Sequence, residues 1–196
     1  SLMIRPVFYK SFRSRNFNQL KESEKSLDLT NLSSKNLIID IGFGTGESTI
    51  ALSRMFLDDI VCGVECYKPG VKKLMDNNIH VKYGDALEII EKIKPDSVSK
   101  IYMLFPDPWQ KIKHRKRRLL NDYSFSIINK ILISGGLFHF ATDNINYAFQ
   151  ARKIINNKSS NNIKFSGNRG LRPITKYEIK AKVKKNFVFD LIYIKK

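Results

Sequence analysis

From Asn36 onward, short apolar runs alternate with amphipathic stretches, the pattern of a sheet covered by helices. Five β-branched or aromatic runs, at 36–41, 59–65, 79–83, 99–105 and 136–141, read as buried parallel strands. Between them, 47–56, 69–76 and 86–93 read as helices, the second with Pro69 in the favoured first turn. Leu119, Tyr123, Ile127 and Ile131 recur every four residues, as do Tyr147, Ala151 and Ile155, which predicts two more helices. A last apolar run, 186–194, has no helix after it and is expected to pair antiparallel. Residues 1–35 are polar and basic with little periodicity and are expected to form an arm, leaving 36–196 as one domain.

Composition narrows the class. The 196 residues suit one ordinary domain, and 42% hydrophobic with 27% charged residues is the balance of a globular protein. The longest apolar-rich stretch, 124–142, is broken by Lys130 and by Gly135-Gly136, so it reads as a helix running into a strand and not as a membrane span. The N-terminus carries no apolar segment of signal-peptide length, which points to the cytoplasm. Cys62 and Cys66 are too few for a zinc site or a disulfide framework, so no metal is expected. Lys plus Arg number 35 against 18 acids, a net charge of +17 that attracts polyanions such as nucleic acid.

The chemistry concentrates at strand ends. Directly after the first run comes Asp40-Ile41-Gly42-Phe43-Gly44-Thr45-Gly46-Glu47. Glycines there let the backbone turn sharply and approach a ligand closely. A nicotinamide site needs G-x-G-x-x-G, and Glu47 stands where its last glycine would fall. Asp40 would repel a pyrophosphate and suits a cationic ligand such as S-adenosylmethionine, although a plain strand-turn-helix explains the same residues. Glu65 ends the second run about 20 residues on, where a carboxylate accepts ribose hydroxyls. Asp85 follows the third run, placed either to accept an adenine amine or to cap a helix.

At the end of the fourth run, Phe105-Pro106-Asp107-Pro108-Trp109 holds a carboxylate between two prolines, with an indole after it that can stack on a base. The basic run Lys111, Lys113, His114, Arg115, Lys116, Arg117, Arg118 adjoins this crevice and reads as a phosphate-backbone contact. Arg5, Lys10, Arg13 and Arg15, interleaved with Phe8, Tyr9 and Phe12, suggest a weaker second strip.

These segments, together with Gly63-Val64-Glu65, Pro69-Gly70-Val71, Gly84-Asp85-Ala86, Ala141-Thr142-Asp143 and Thr175-Lys176-Tyr177-Glu178, resemble the bacterial-type tRNA (guanine-N7-)-methyltransferase family. That family often has Glu at Asp40, Arg at Lys113 and Phe at Tyr177, departures that keep the charge or the ring. The resemblance implies a Rossmann-like class I methyltransferase: a mostly parallel seven-stranded sheet with helices on both faces and an antiparallel C-terminal strand. It implies methyl transfer from S-adenosylmethionine, leaving S-adenosylhomocysteine, to N7 of a guanine at position 46 in the tRNA variable loop. The sequence leaves monomer and homodimer both open. Asp107 would be catalytic. Asp40, Gly42, Gly44, Gly46, Glu65, Asp85 and Asp107 would surround the cofactor, and Lys111, Asp143, Thr175, Lys176, Tyr177 and Glu178 would handle the guanosine. Three rivals make different demands. A non-catalytic RNA binder would have lost the acids, a protein or metabolite methyltransferase needs no basic run, and a dehydrogenase needs the other glycine spacing.

Overall fold

The computed structural model describes residues 27–30, 36–158, 163–164 and 168–196. The basic strip from Arg5 to Arg15 lies outside them. Of the segment before Asn36, Leu29 is buried in the main core with Leu27 packed against that core.

Strands β1 (Leu37–Ile41), β2 (Ile60–Glu65), β3 (His80–Tyr83), β4 (Val98–Leu104) and β5 (Leu132–Thr142) pair in parallel. Strand β7 (Phe189–Ile194) runs antiparallel to β5, and the two-residue β6 (Ile163–Lys164) pairs antiparallel to β7. The order is β3-β2-β1-β4-β5-β7-β6. Among the described residues six strands of four residues or more carry the sheet, and the seventh is the edge pairing of Ile163–Lys164, which no apolar run announces. Strand β5 also starts four residues earlier than its sequence suggests, straight from the preceding helix and through Gly135 at φ 76°.

Helices α1 (Glu47–Met55), α2 (Lys68–Asp76), α3 (Ala86–Ile90), α4 (Asp122–Ile131) and α5 (Ile145–Lys158) fall where periodicity put them. Helix α6 (Lys176–Val183) has no counterpart in the sequence pattern, because it carries no buried apolar stripe and buries only Glu178 and Ala181. Asn121 starts α4 with a capping box, its side chain accepting from Tyr123 and Ser124 while Ser124 accepts from the Asn121 N–H.

Alternate residues of each central strand face opposite ways, as strand geometry requires. Ile39, Ile41, Ile101 and Met103 join α3, α4 and α5 in the large core. Ile38, Tyr102 and Leu104 face the other side with Leu52 of α1. The strand order reverses between β1 and β4, so the loops after these two strands diverge to opposite faces and leave a crevice at their C-terminal ends.

Candidate active site

That crevice holds a cavity of about 360 Å³. Four stretches distant in sequence line it: the turn from Gly42 to Ser48, the turn from Leu104 to Pro108, Asp143 after β5, and Thr175, Lys176 and Tyr177 at the start of α6.

The glycine turn is built for close approach. Gly42, Gly44 and Gly46 have φ of 70°, 62° and 93°, a region that favours glycine. A Cβ on Gly44 would meet only the Tyr177 hydroxyl at 3.9 Å, so this side of the turn is open to a ligand. Behind the turn the packing is tight: a Cβ on Gly70 of α2 would sit 1.8 Å from the Gly44 carbonyl oxygen. Glu65 fastens the turn from the side. Its Oε2 accepts the Gly44 N–H at 2.8 Å, and its Oε1 accepts the N–H groups of Cys66 at 2.7 Å and Tyr67 at 3.1 Å. A carboxylate has about four acceptor positions, so roughly one is left for a ligand hydroxyl.

Asp40 lies beneath the turn, fully buried, and does not line the cavity. Its Oδ2 accepts from Ser48 and Thr49 at 2.8 Å each, while its Oδ1 is buried with no hydrogen-bond partner. Burial raises its pKa to about 6 against the pull of the two hydroxyls. Asp85 is the N-cap of α3, accepting from Leu87 at 2.9 Å and Glu88 at 3.2 Å, which is the capping reading of that residue.

The Pro106-Asp107-Pro108 turn is held at both ends. Phe105, at φ 53°, donates its N–H to Ala141 of β5 at 2.7 Å. Trp109, at φ 41°, donates its N–H to Asp107 Oδ1 at 3.0 Å, so one carboxylate oxygen braces the turn while the exposed group faces the cavity.

Arg118 corrects the sequence reading. It was expected to contact RNA with its neighbours, yet it is 1% exposed. Its Nε donates to the Pro108 carbonyl at 2.7 Å, its Nη1 to Gln150 at 2.5 Å, and its Cζ lies 4.6 Å from the Tyr147 ring centre. It is a strut under the Asp107 turn. The rest of the run, from Lys111 through the 3-10 turn Ile112–Arg117, has no buried residue. Trp109 organises it: Arg117 Cζ lies over the indole at 4.9 Å and His114 meets it edge-on at 5.9 Å. Partial desolvation, then the cations Arg117, Lys113, Lys111 and Lys116, lower the His114 pKa.

On α6, Thr175 caps the helix by accepting from Glu178 N–H at 3.1 Å. Lys176 Nζ donates to Thr45 Oγ1 at 2.6 Å, tying the helix to the glycine turn, and Thr45 bonds Glu47. Tyr177 stacks on Phe105 with ring centres 6.2 Å apart. Glu178 does not line the cavity. It is 2% exposed and accepts from Arg169 and Arg172; Arg172 in turn donates to Asp190 of β7, whose carboxylate also bonds His139 Nε2 at 2.7 Å. Guanidinium and lysine hydrogen bonds hold Glu178 at about 2 in spite of desolvation. This network locks α6 to the sheet, and Arg172 reaches the Asp107 turn as well, 5.5 Å from the Phe105 ring. Charged or polar residues such as His139 and Asp190 inside apolar runs were the available signal, since a buried charge demands a partner.

The structure thus brings together Gly42, Gly44, Asp107, Asp143, Thr175, Lys176 and Tyr177, with Phe43, Thr45, Glu47, Ser48 and Phe105 as further wall residues. Asp40, Gly46 and Glu65 shape the glycine turn from outside the cavity, and Lys111 lies beyond it, exposed at the start of the basic turn. Among the described residues no group of three His, Cys, Asp or Glu could hold a metal ion, and no helix is long and apolar enough to cross a membrane. An open glycine turn backed by acids, one with an unpartnered buried oxygen, fits a ligand with a ribose and positive charge, as S-adenosylmethionine has.

A parallel sheet with an antiparallel C-terminal strand, and this turn at its switch point, define a class I S-adenosylmethionine-dependent methyltransferase. Solved structures agree on the fold. An S-adenosylmethionine-dependent O-methyltransferase of Thermotoga maritima superposes with TM-score 0.54 at 17% identity, over 85% of this chain and 61% of its own. The precorrin-6y C5,15-methyltransferase of Geobacter metallireducens gives 0.53 at 14%, over 85% and 83%. A family model described as "Putative methyltransferase" matches residues 34–191. The tRNA (guanine-N(7)-)-methyltransferase of Buchnera aphidicola is 37% identical over 80% of this chain and 71% of its own. That of Hydrogenovibrio crunogenus is 34% identical over 87% and 77%. The chain belongs to the tRNA (guanine-N7-)-methyltransferase family.

Proposed function

We propose that the reaction of this family, methylation of guanine N7 in tRNA, takes place in the cavity between the glycine turn and α6, and that the target is position 46 of the variable loop. One observation carries the reading: the Asp107 carboxylate, the glycine turn and the Thr175–Tyr177 segment share a single cavity beside an exposed basic turn.

S-adenosylmethionine supplies an electrophilic methyl group on a sulfonium centre. The glycine turn and Glu65 would hold its adenosine and methionine parts, and the Asp40 carboxylate behind the turn adds negative potential. Guanine N7 has a lone pair and no proton, so the chain has no need of a strong base. Its task is positioning and charge. Tyr177, backed by Phe105, offers a face for the purine, and Asp143 and Lys176 offer an acceptor and a donor at the wall. As positive charge develops on the purine, the fixed Asp107 carboxylate attracts it more strongly than it attracts neutral guanine. Lys111, Lys113, His114, Arg115, Lys116 and Arg117 would grip the backbone around the target nucleotide. The reading sets the reaction in the cytoplasm, with the tRNA pool.

The test is incubation with methyl-labelled S-adenosylmethionine and a tRNA transcript, followed by nucleoside digestion. Label in 7-methylguanosine, lost when position 46 is changed from G to A, is the expected result. Label elsewhere, or none, overturns the reading.

A further inference from the structure

Helix α6 begins at the cavity and carries lysines outward from it. Lys176 lines the wall, Lys180 follows one turn later, and Lys184 is the C-cap, with Lys185 next at φ 56°. Residues four apart lie on nearly the same helix face, so Lys176, Lys180 and Lys184 form one stripe. Lys176 and Lys180 flank the Tyr177 ring, with Nζ 5.4 and 6.0 Å from its centre. The helix's one acid, Glu178, is buried and already bound to Arg169, Arg172 and Lys182. Among the described residues no carboxylate lies within ion-pair reach of Lys180, Lys184 or Lys185. Ile179 and Val183 are exposed beside the stripe, and Phe187, three residues past the C-cap, is 82% exposed.

A helix that is basic on one face, apolar beside it and free of exposed acid has few partners. A second copy is disfavoured, because a two-fold contact would set this stripe against itself on a chain of net charge +17. Cations interleaved with an exposed aromatic ring suit a nucleic-acid strand with unstacked bases. We propose that α6 and the turn after it form a second tRNA track, separate from the Lys111–Arg117 turn. In it Lys180, Lys184 and Lys185 meet backbone phosphates and Phe187 stacks on an unpaired base. The inference rests on the reading that tRNA delivers its guanine to the adjoining cavity.

Binding of tRNA to the full chain across a salt series tests it. Lys180→Gln with Lys184→Gln should raise Kd about tenfold at 0.15 M salt and make the log–log salt slope shallower by about 1 to 2. Phe187→Ala should raise Kd with the slope unchanged. Lys92→Gln with Lys94→Gln removes the same charge from the opposite end of the sheet and should change Kd by less than about threefold. Calorimetric S-adenosylmethionine binding reports that each variant is folded. If the α6 pair shifts Kd and slope no more than the Lys92/Lys94 pair does, the track is wrong. If the parent chain itself fails to bind tRNA, the proposed function fails instead.

Discussion

Asp40 meets two opposed demands. Its carboxyl ionises near pH 6 in the folded chain and near 3.8 when unfolded, so between these values the unfolded chain loses the proton first and stability falls as pH rises. Above pH 6 the cost is on the order of 3 kcal/mol. Asp40→Asn can keep its carbonyl on Ser48 and Thr49 and avoids the buried charge. Denaturant melts should show it more stable than the parent by about 1 to 3 kcal/mol at pH 8, with the gap closing toward pH 4. Calorimetry should show weaker S-adenosylmethionine binding in the same variant, since the charge behind the glycine turn is gone. Asp107 is the contrasting acid, exposed at the cavity. Asp107→Asn should lower single-turnover methylation by about 10²- to 10³-fold while tRNA and cofactor affinities change little. An undiminished rate would remove it from the mechanism. Arg118 separates bracing from binding. Arg118→Met should slow methylation about ten- to a hundredfold by loosening the Pro108 carbonyl, with the tRNA salt slope unchanged. Lys116→Ala should do the reverse, making the slope shallower with little effect on the rate at saturating tRNA.

At the scale of elements, α2 packs so closely on the glycine turn that no Cβ fits on Gly70. Gly70→Ala must push the Gly44 carbonyl or the helix aside, because the new methyl would overlap backbone and not a flexible side chain. We expect a loss of about 1 to 3 kcal/mol in thermal or denaturant unfolding, with weakened cofactor binding. Sequence spacing gave the elements that hold this geometry: the five parallel strands, their connecting helices, the glycine turn and the Pro-Asp-Pro turn all follow from local pattern. What pattern could not reach was which charged residues go inside. Arg118 ends a run of cations and looks like its neighbours, and only the fold reveals that the next turn of chain carries it under Pro108. Glu178 sits in a recognisable motif next to cavity residues, yet helix geometry turns its carboxylate to Arg169 and Arg172. Helix α6 itself lacks periodicity, because it rests on buried ion pairs in place of an apolar stripe.

Across the whole molecule, the cavity gathers residues far apart in the chain; Lys176 bonds Thr45 across 131 positions. The sheet interior and α6 should therefore differ in how readily they open. Strands β1 and β4 are nearly wholly buried, whereas α6 buries two residues and depends on a few polar ties. Opening α6 alone should cost less than unfolding the domain. Such opening would widen one wall of the cavity while the sheet floor of β1 and β4 stays intact. Amide exchange would reveal it as fast turnover of deuterium over Lys176–Val183 against slow exchange in β1 and β4. Tightening on addition of S-adenosylhomocysteine with tRNA would show the latch between Lys176 and Thr45 drawing shut around the occupied chamber.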